Sequence, residues 1–335
     1  MKNSCAIILA AGEGSRMKSD KPKTLLKVLD KPMIGWVLDS VKNSGISKIC
    51  VIIGHGYSCV QDYLLEFSSN SSIDLTTVFQ DKRLGTGHAV LTAENFLKSG
   101  NFEDTSIFSG DSPLLDSKTI INAYLLHKKE NNSATLISSK IEDPFGYGRI
   151  IRKNGKICAI KEQKDANKEI LKIKEINSGA YWFNTKSLIS ILRSIDNNNA
   201  QNEYYLTDAI RLLIEKNKKV GSFSCDSPDL TLGANNKTQL EKINEAACRK
   251  ILEKCISSGV EIPNVENVII GPDVEFGSNC RVLCNTIILG KSKIGNNCTI
   301  GPDVSFKDKE IENNNTVTKV KSYFYNISNY KNQLI

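Results

Sequence analysis

The sequence predicts an α/β protein: a domain on a mostly parallel sheet, followed by a short parallel β-helix. Three observations carry this. Up to Thr231, short apolar runs alternate with longer amphipathic stretches. One long helical pattern then runs from Lys237 to Ser257. Beyond it, apolar residues recur every six positions from Ile270 to Phe306.

Cys5 to Ala10 reads as a buried strand, and Met33 to Asn43 as a helix before the strand Lys48 to Ile53. Leu75 to Phe79 is a third strand, followed by a helix over His88 to Leu97. Thr105 to Phe108 is a fourth strand, ending in Ser-Gly-Asp. Thr119 to Glu130 reads as a helix and Ala134 to Ser138 as a strand. Such alternation argues for crossover units and a sheet covered on both faces. Ligands bind beyond the carboxyl ends of such strands, so the loops after Ala10, Phe79 and Phe108 are where a site is expected.

In the pattern Lys237 to Ser257, Leu240, Ile243, Ala247, Ile251 and Cys255 share one helical face. The repeat then places Ile270, Phe276, Val282, Ile288, Ile294, Ile300 and Phe306 six apart. Small or β-branched residues follow four positions later: Val274, Cys280, Thr286, Ser292, Cys298 and Val304. A period of six is neither helical nor simple strand alternation; it marks a hexapeptide β-helix, with the apolar residue inward and the small one at the corner. Little more than two coils are expected. The register falters over Lys307 to Asn315, and Ile311 and Val317 resume it one position out of phase, as part of one more coil. The expected domains are 1–235, a linker helix over 236–260, the β-helix over 261–322, and a tail over 323–335. Its aromatics Tyr323, Phe324, Tyr325 and Tyr330 suit a cap on the stack.

Composition excludes several classes. With 40% hydrophobic and 24% charged residues, the chain is ordinary for a globular protein and unlike a disordered one. No apolar run approaches the roughly 18 residues of a membrane span, and Ala6 to Ala11 is too short for a signal-peptide core. No membrane partner is therefore expected, and a cytoplasmic location is. Lys and Arg total 44 against 37 acids, a net charge of +7 that an ordinary solvated surface or an anionic substrate accounts for. No basic stripe with interleaved aromatics stands in the sequence, so nucleic acid is not an expected partner. The ten cysteines form no C-x-x-C pair and are expected to be reduced, structural thiols.

The chemistry begins directly after the first strand, in Leu9-Ala10-Ala11-Gly12-Glu13-Gly14-Ser15-Arg16-Met17. Gly12 and Gly14 let the backbone approach an anion, and successive N–H groups in such a loop form an anion-binding concavity. Arg16 adds a cation, and Lys23 follows in Lys21-Pro22-Lys23, stiffened by Pro22. The spacing is neither a Walker P-loop nor the dinucleotide fingerprint. A lone Gly-x-Gly after a strand is often only a tight turn. Arg16 and Lys23 downstream favour a nucleoside triphosphate. Asp111, after the fourth strand, reads either as a ligand for a hard cation or as an N-cap before Pro113-Leu114-Leu115; its place in Ser-Gly-Asp at the strand end favours the ligand.

The first motif, with Pro22-Lys23, resembles the signature of sugar-nucleotide pyrophosphorylases. Further segments are similar to the bacterial N-acetylglucosamine-1-phosphate uridyltransferases: Gly85-Thr86-Gly87-His88-Ala89, Ser109-Gly110-Asp111, Asp143 to Arg149, Lys161-Glu162, Ile176-Asn177-Ser178-Gly179, Asn197 to Asp208, and Gly233-Ala234-Asn235-Asn236. The resemblance runs from residue 4 to about residue 305. It implies a Rossmann-like nucleotidyltransferase domain followed by a left-handed parallel β-helix. It implies that Gly12, Gly14, Arg16 and Lys23 hold phosphates, with Arg16 and Lys23 catalytic. Ala11, Gln80, Gly85 and Thr86 would hold the nucleotide and read uracil. Asp111 and Asn235 would bind Mg²⁺, and Gly148, Glu162, Asn177 and Tyr205 the sugar phosphate. His88 is expected to pack or hydrogen-bond at a helix start rather than to act in catalysis.

The implied reaction joins UTP and N-acetylglucosamine 1-phosphate. Glucose 1-phosphate or another hexose 1-phosphate is the alternative acceptor, with uridylyl or thymidylyl transfer. A catalytically silent regulatory subunit is the second alternative. Relatives in this family carry a longer β-helix with acetyltransferase activity. The histidines here are His55, His88 and His127, none of them in the repeat, so that activity is not expected. The β-helix of such relatives assembles trimers; two coils are few for that, so the sequence leaves the oligomeric state open, with a homo-oligomer, a trimer, as the outcome if the short β-helix suffices.

Overall fold

The computed structural model describes residues 1–318 apart from Lys2, Glu13, Ser15, Arg16, His55 and Asp226. The chain forms two compact units. One comprises Met1–Leu26 and Met33–Gly233; the other comprises Lys27–Pro32 and the chain from Ala234 onward.

In the first unit the strands are β1 (Ser4–Ala10), β4 (Lys48–Ile53), β5 (Asp74–Phe79), β6 (Asp104–Ser109), β7 (Ala134–Lys140), β8 (Gly148–Lys153), β9 (Lys156–Lys161), β10 (Glu175–Asn184) and β11 (Val220–Ser224). β2 (Lys27–Val28) and β3 (Lys31–Pro32) form a hairpin in the other unit. The helices are α1 (Met33–Asn43), α2 (Tyr57–Ser69), α3 (Thr86–Thr92), α4 (Glu94–Ser99), α5 (Ser117–Glu130), α6 (Lys168–Leu171), α7 (Thr185–Leu192) and α8 (Asp208–Glu215), with α9 (Lys237–Ser257) in the second unit.

The main sheet has the order β11-β7-β10-β6-β1-β4-β5, with the β8–β9 hairpin attached to β10. β6, β1, β4 and β5 are parallel neighbours, and β11 is parallel to β7. β10 runs antiparallel to β6, β7 and β8. The chain leaves β1 for β4 on one side and later returns to β6 on the other. The carboxyl end of β1 is therefore a switch point, where open α/β sheets bind ligands.

Alternation along the central strands builds two cores. Cys5 and Ile7 of β1, with Cys50 and Ile52 of β4, face one cluster that includes residues of α3, α7 and α8. Ala6, Ile8 and Ala10, with Ile49, Val51 and Ile53, face the other, with α1, α2 and α5. All ten cysteines are unpaired, and burial pushes the thiols of Cys5 and Cys50 up to about 12, where they are inert.

The helix expected over His88 to Leu97 is two helices, parted at Ala93, which has φ −87° and ψ 8°. α5 begins under a cap from Asp116, whose Oδ1 accepts from Thr119 N at 2.9 Å. The N-cap reading of Asp111 therefore falls, because Asp116 fills that role.

In the second unit the hexads form three stacks of parallel strands. Ile269–Ile270 pairs with Thr286–Leu289 and then Val304–Lys307; Glu275–Phe276 with Lys293–Ile294 and then Glu310–Ile311; Arg281–Val282 with Thr299–Ile300 and then Thr316–Val317. Ile270, Val282, Ile288, Ile294, Ile300 and Phe306 are buried, as are Cys280, Thr286, Ser292, Cys298 and Val304. Each stack holds three strands, the third supplied in two of them by Ile311 and Val317, the part of one more coil that the spacing predicts. The one-residue phase slip is absorbed at the corners. Asn279 Nδ2 donates to Asn297 Oδ1, 18 residues on, whereas Asn297 Nδ2 donates to Asn314 Oδ1, 17 residues on. These asparagines stand in the left-handed region that Asn tolerates, at φ 56°, 57° and 61°. The hairpin β2–β3 is fixed within this unit: Leu29 N donates to Asn244 Oδ1 of α9 at 2.6 Å, and Gly290 N to Asp30 Oδ2 at 2.6 Å. The tail proposed as a cap lies outside the described residues.

Candidate active site

Three loops at the carboxyl ends of β1, β5 and β6 build the first half of the site. After β1, Ala11 is buried against the core and Gly12 is exposed, with no neighbour within 4 Å of where a Cβ would stand. Gly14 has φ +65°, and a Cβ there would lie 2.6 Å from Lys23 Cβ. Glycine at this position thus gives Lys23 its path. Lys23 opens a short turn, Lys23–Leu25, entered from Pro22 at φ −50°. Arg16 lies outside the described residues.

Gly110 follows β6 so closely under β1 that its N donates to Leu9 O at 2.9 Å, and a Cβ would stand 3.0 Å from that oxygen. This close approach delivers Asp111 to Lys23, and the two form an ion pair, partly buried on both sides. Ser109 Oγ donates to the other carboxylate oxygen at 2.6 Å. Burial pushes the Asp111 carboxyl up, but the Lys23 charge and the hydrogen bonds from Lys23 and Ser109 outweigh it and hold it below the usual range. Asp111 is therefore ionised at neutral pH, as a cation ligand must be. Gly233 arrives beside it; a Cβ there would stand 3.8 Å from Asp111 Oδ1, and Gly233 N donates to Tyr147 Oη at 3.1 Å.

Asn235 belongs to the second unit. Its N donates to Gln239 Oε1 at 2.7 Å, while Asn236 Oδ1 accepts from Gln239 N at 2.8 Å and caps α9.

After β5, Gln80 is 5% exposed, and its Nε2 reaches Gly85 O at 3.2 Å and His88 Nδ1 at 3.0 Å. Gly85 stands at φ +105°, with Tyr204 O only 2.6 Å from a would-be Cβ. Thr86 Oγ1 accepts from Leu206 N at 3.0 Å, so this hydroxyl ties the loop to the segment before α8.

The second half of the site is set by register. Gly148 of β8 stands opposite Asn177 of β10, and Glu162 follows β9. A Cβ on Gly148 would lie 3.3 Å from Glu162 Oε1. Thr207 Oγ1 donates to that oxygen at 3.1 Å. Glu162, Tyr205 and Thr207 line a polar cavity of about 250 Å³. Burial, with Asp165 and Asp208 adding, pushes the Glu162 carboxyl up. A break in the β10–β7 register between Asn177 and Tyr181 re-aims this stretch. Asn177 Nδ2 donates to Tyr181 Oη at 2.6 Å, and Asn177 Oδ1 is buried with no partner among the described residues. A buried acceptor of this kind suits a ligand hydroxyl or amide.

The structure thus brings together Lys23 with Asp111, Gln80 with Gly85, Gly148 with both Asn177 and Glu162, and Glu162 with Tyr205. Sequence reasoning missed Tyr181 and the role of Arg149; it expected His88 to pack or hydrogen-bond at a helix start, as it does, without naming Gln80 as the partner. Arg149 is 2% exposed; its guanidinium donates to Tyr147 O and, at 2.8 Å, to Gln163 Oε1, which also accepts from Gly146 N at 3.1 Å. It thereby fastens the loop that enters Gly148. Its place in Gly-Tyr-Gly-Arg was visible; its burial was not.

The model of the family described as nucleotidyl transferase matches residues 5–228. Bifunctional protein GlmU of Thermoanaerobacter pseudethanolicus is 42% identical over 320 residues, 95% of this chain and 68% of that protein. GlmU of Clostridium beijerinckii is 42% identical, over 92% of this chain and 66% of that protein. GlmU of Halalkalibacterium halodurans is 39% identical, over 95% and 68%. The chain spans about two thirds of the length of these relatives. A solved Bacillus anthracis protein, assigned as a glucose-1-phosphate thymidylyltransferase and determined with sucrose, superposes with TM-score 0.62 at 22% identity. The match covers 73% of this chain and 95% of that one, and concerns the fold.

Proposed function

The chain belongs to the nucleotidyl transferase family, on the branch of bifunctional protein GlmU, and from that premise we propose that it makes UDP-N-acetylglucosamine and pyrophosphate from UTP and N-acetylglucosamine 1-phosphate. The observation that carries this reading is the Lys23–Asp111 pair at the carboxyl ends of β1 and β6, beside a glycine loop open to an anion. Acceptor-rich groups at Glu162 and Asn177 support a sugar hydroxyl and amide site next to Gly148.

The sugar phosphate oxygen attacks the α-phosphorus in line, and pyrophosphate leaves. A phosphate oxyanion is a competent nucleophile, so no general base is needed. Lys23, with Arg16 from the same loop, would neutralise charge developing on the phosphates. The glycine loop would orient them through backbone N–H groups.

Mg²⁺ fits the residues present. Asp111 is an ionised hard-oxygen donor, and among the described residues no cluster of three or more His, Cys, Asp or Glu could hold a metal. One carboxylate plus phosphates and waters is how Mg²⁺ is commonly held. Asp111, with Asn235 as the second proposed ligand, would hold it, and it would supply charge neutralisation on the triphosphate.

Lys23→Ala tests the reading. We expect kcat to fall by about 10²–10³, the loss typical of one transition-state donor, in a protein that remains folded. Unchanged kcat would remove Lys23 from the reaction.

A further inference from the structure

The Gln80 amide is oriented without ambiguity. Its Nε2 lies 3.2 Å from Gly85 O. A backbone carbonyl only accepts, so the amide nitrogen must face it. The same nitrogen lies 3.0 Å from His88 Nδ1. With one amide hydrogen on Gly85, the second is directed at His88, which must accept it on an unprotonated Nδ1. Both amide hydrogens are then used. Gln80 is 5% exposed, and its Oε1 is the amide atom that Gly85 and His88 leave unengaged. From the Gln80 side chain a ligand therefore meets an acceptor and no donor.

We propose that His88 is the positioning residue that sets base specificity, by taking up the second amide hydrogen of Gln80 so that only its carbonyl oxygen faces the nucleotide. The inference rests on reading the Gln80–Gly85 loop as the base pocket. An acceptor at this point selects a base with a ring N–H, as uracil has at N3. Cytosine offers a lone pair at N3, so two acceptors oppose each other. His88 is held in place at the start of α3, where its ring lies 6.3 Å from that of Tyr204. Without the Nδ1 acceptor, one amide hydrogen is released to the pocket and the amide is held by a single bond.

The test is equilibrium binding of UTP and of CTP to the full chain with Mg²⁺, which needs no turnover. Wild type is expected to prefer UTP. His88→Phe keeps an aromatic ring but removes the acceptor, and its preference for UTP should fall by about tenfold or more. His88→Asn returns an oxygen near the Nδ1 position and should restore most of the preference. Gln80→Ala separates this inference from the reading beneath it. If Gln80→Ala abolishes the preference and folded His88→Phe retains it in full, His88 has no such role. Loss in His88→Phe that His88→Asn does not restore also overturns it, since the acceptor is then not what matters. If Gln80→Ala leaves the preference intact, the base-pocket reading itself fails and the inference with it.

Discussion

At the residue scale, the site is a set of side chains held by partners that burial and strand register bring to them. Asn177 illustrates this. Its amide nitrogen is fixed on Tyr181 Oη, four residues along β10, across the register break that places both. Tyr181→Phe should therefore raise the KM for the sugar phosphate about fivefold, the worth of one hydrogen bond, while leaving the KM for UTP unchanged. Steady-state kinetics with each substrate varied in turn will show it. An equal rise for both substrates would make Tyr181 merely structural. Lys23, Asp111 and Glu162 were legible because each stands in a short motif beside a strand end. Tyr181, Arg149 and the partner of His88 were not. Their roles arise from burial and strand register, which one-dimensional spacing does not carry.

At the element scale, periodicity was most informative where one face is buried continuously. α1, β4 and α9 run over the residues the pattern marks. The helix after β5 was misread as one because its apolar residues stay in phase across Ala93 while the backbone does not. Two substitutions probe single elements. Asp116→Ala removes the cap of α5 and should lower stability by about 1 kcal/mol in denaturant unfolding. Ile288→Ala, at a fully buried inward position of the β-helix, should cost about 2–5 kcal/mol. A cost near zero would mean that the hexad interior is not packed. Gly277 makes the same point sterically, since a Cβ there would stand 2.8 Å from Asn296 N on the next coil.

At the scale of the whole molecule, the parallel block β6-β1-β4-β5 follows from the alternation of strands and helices. The antiparallel β10 and the β8–β9 hairpin do not, because β7, β8 and β9 follow one another without a helix and only the single turn of α6 precedes β10, which leaves their pairing order open. That unreadable part holds the Gly148, Glu162 and Asn177 cluster, so the motifs were recognisable while their meeting was not. Acid stability reports on the core beneath. Asp104 is 2% exposed, with Lys128 Nζ at 2.9 Å and His127 Nε2 at 3.4 Å. Burial pushes its carboxyl up, but the hydrogen bonds and charges of His127 and Lys128 win and hold it below 3.8. Its contribution is then present above that pH and is lost as pH falls through the folded-state value. Asp104→Asn should be less stable than the parent by about 1–3 kcal/mol at pH 7, with the gap closing in acid. A gap independent of pH would contradict the ionised assignment.

The central claim is that the site at the carboxyl ends of β1 and β6 transfers a uridylyl group to an acetylated amino-sugar phosphate. Pyrophosphate release from UTP and Mg²⁺, with N-acetylglucosamine 1-phosphate and glucose 1-phosphate compared side by side, tests it most directly. Mg²⁺-dependent release with clear preference for the acetylated sugar is the expected result. Preference for glucose 1-phosphate would contradict the substrate, and no release with either from a folded protein would contradict the function.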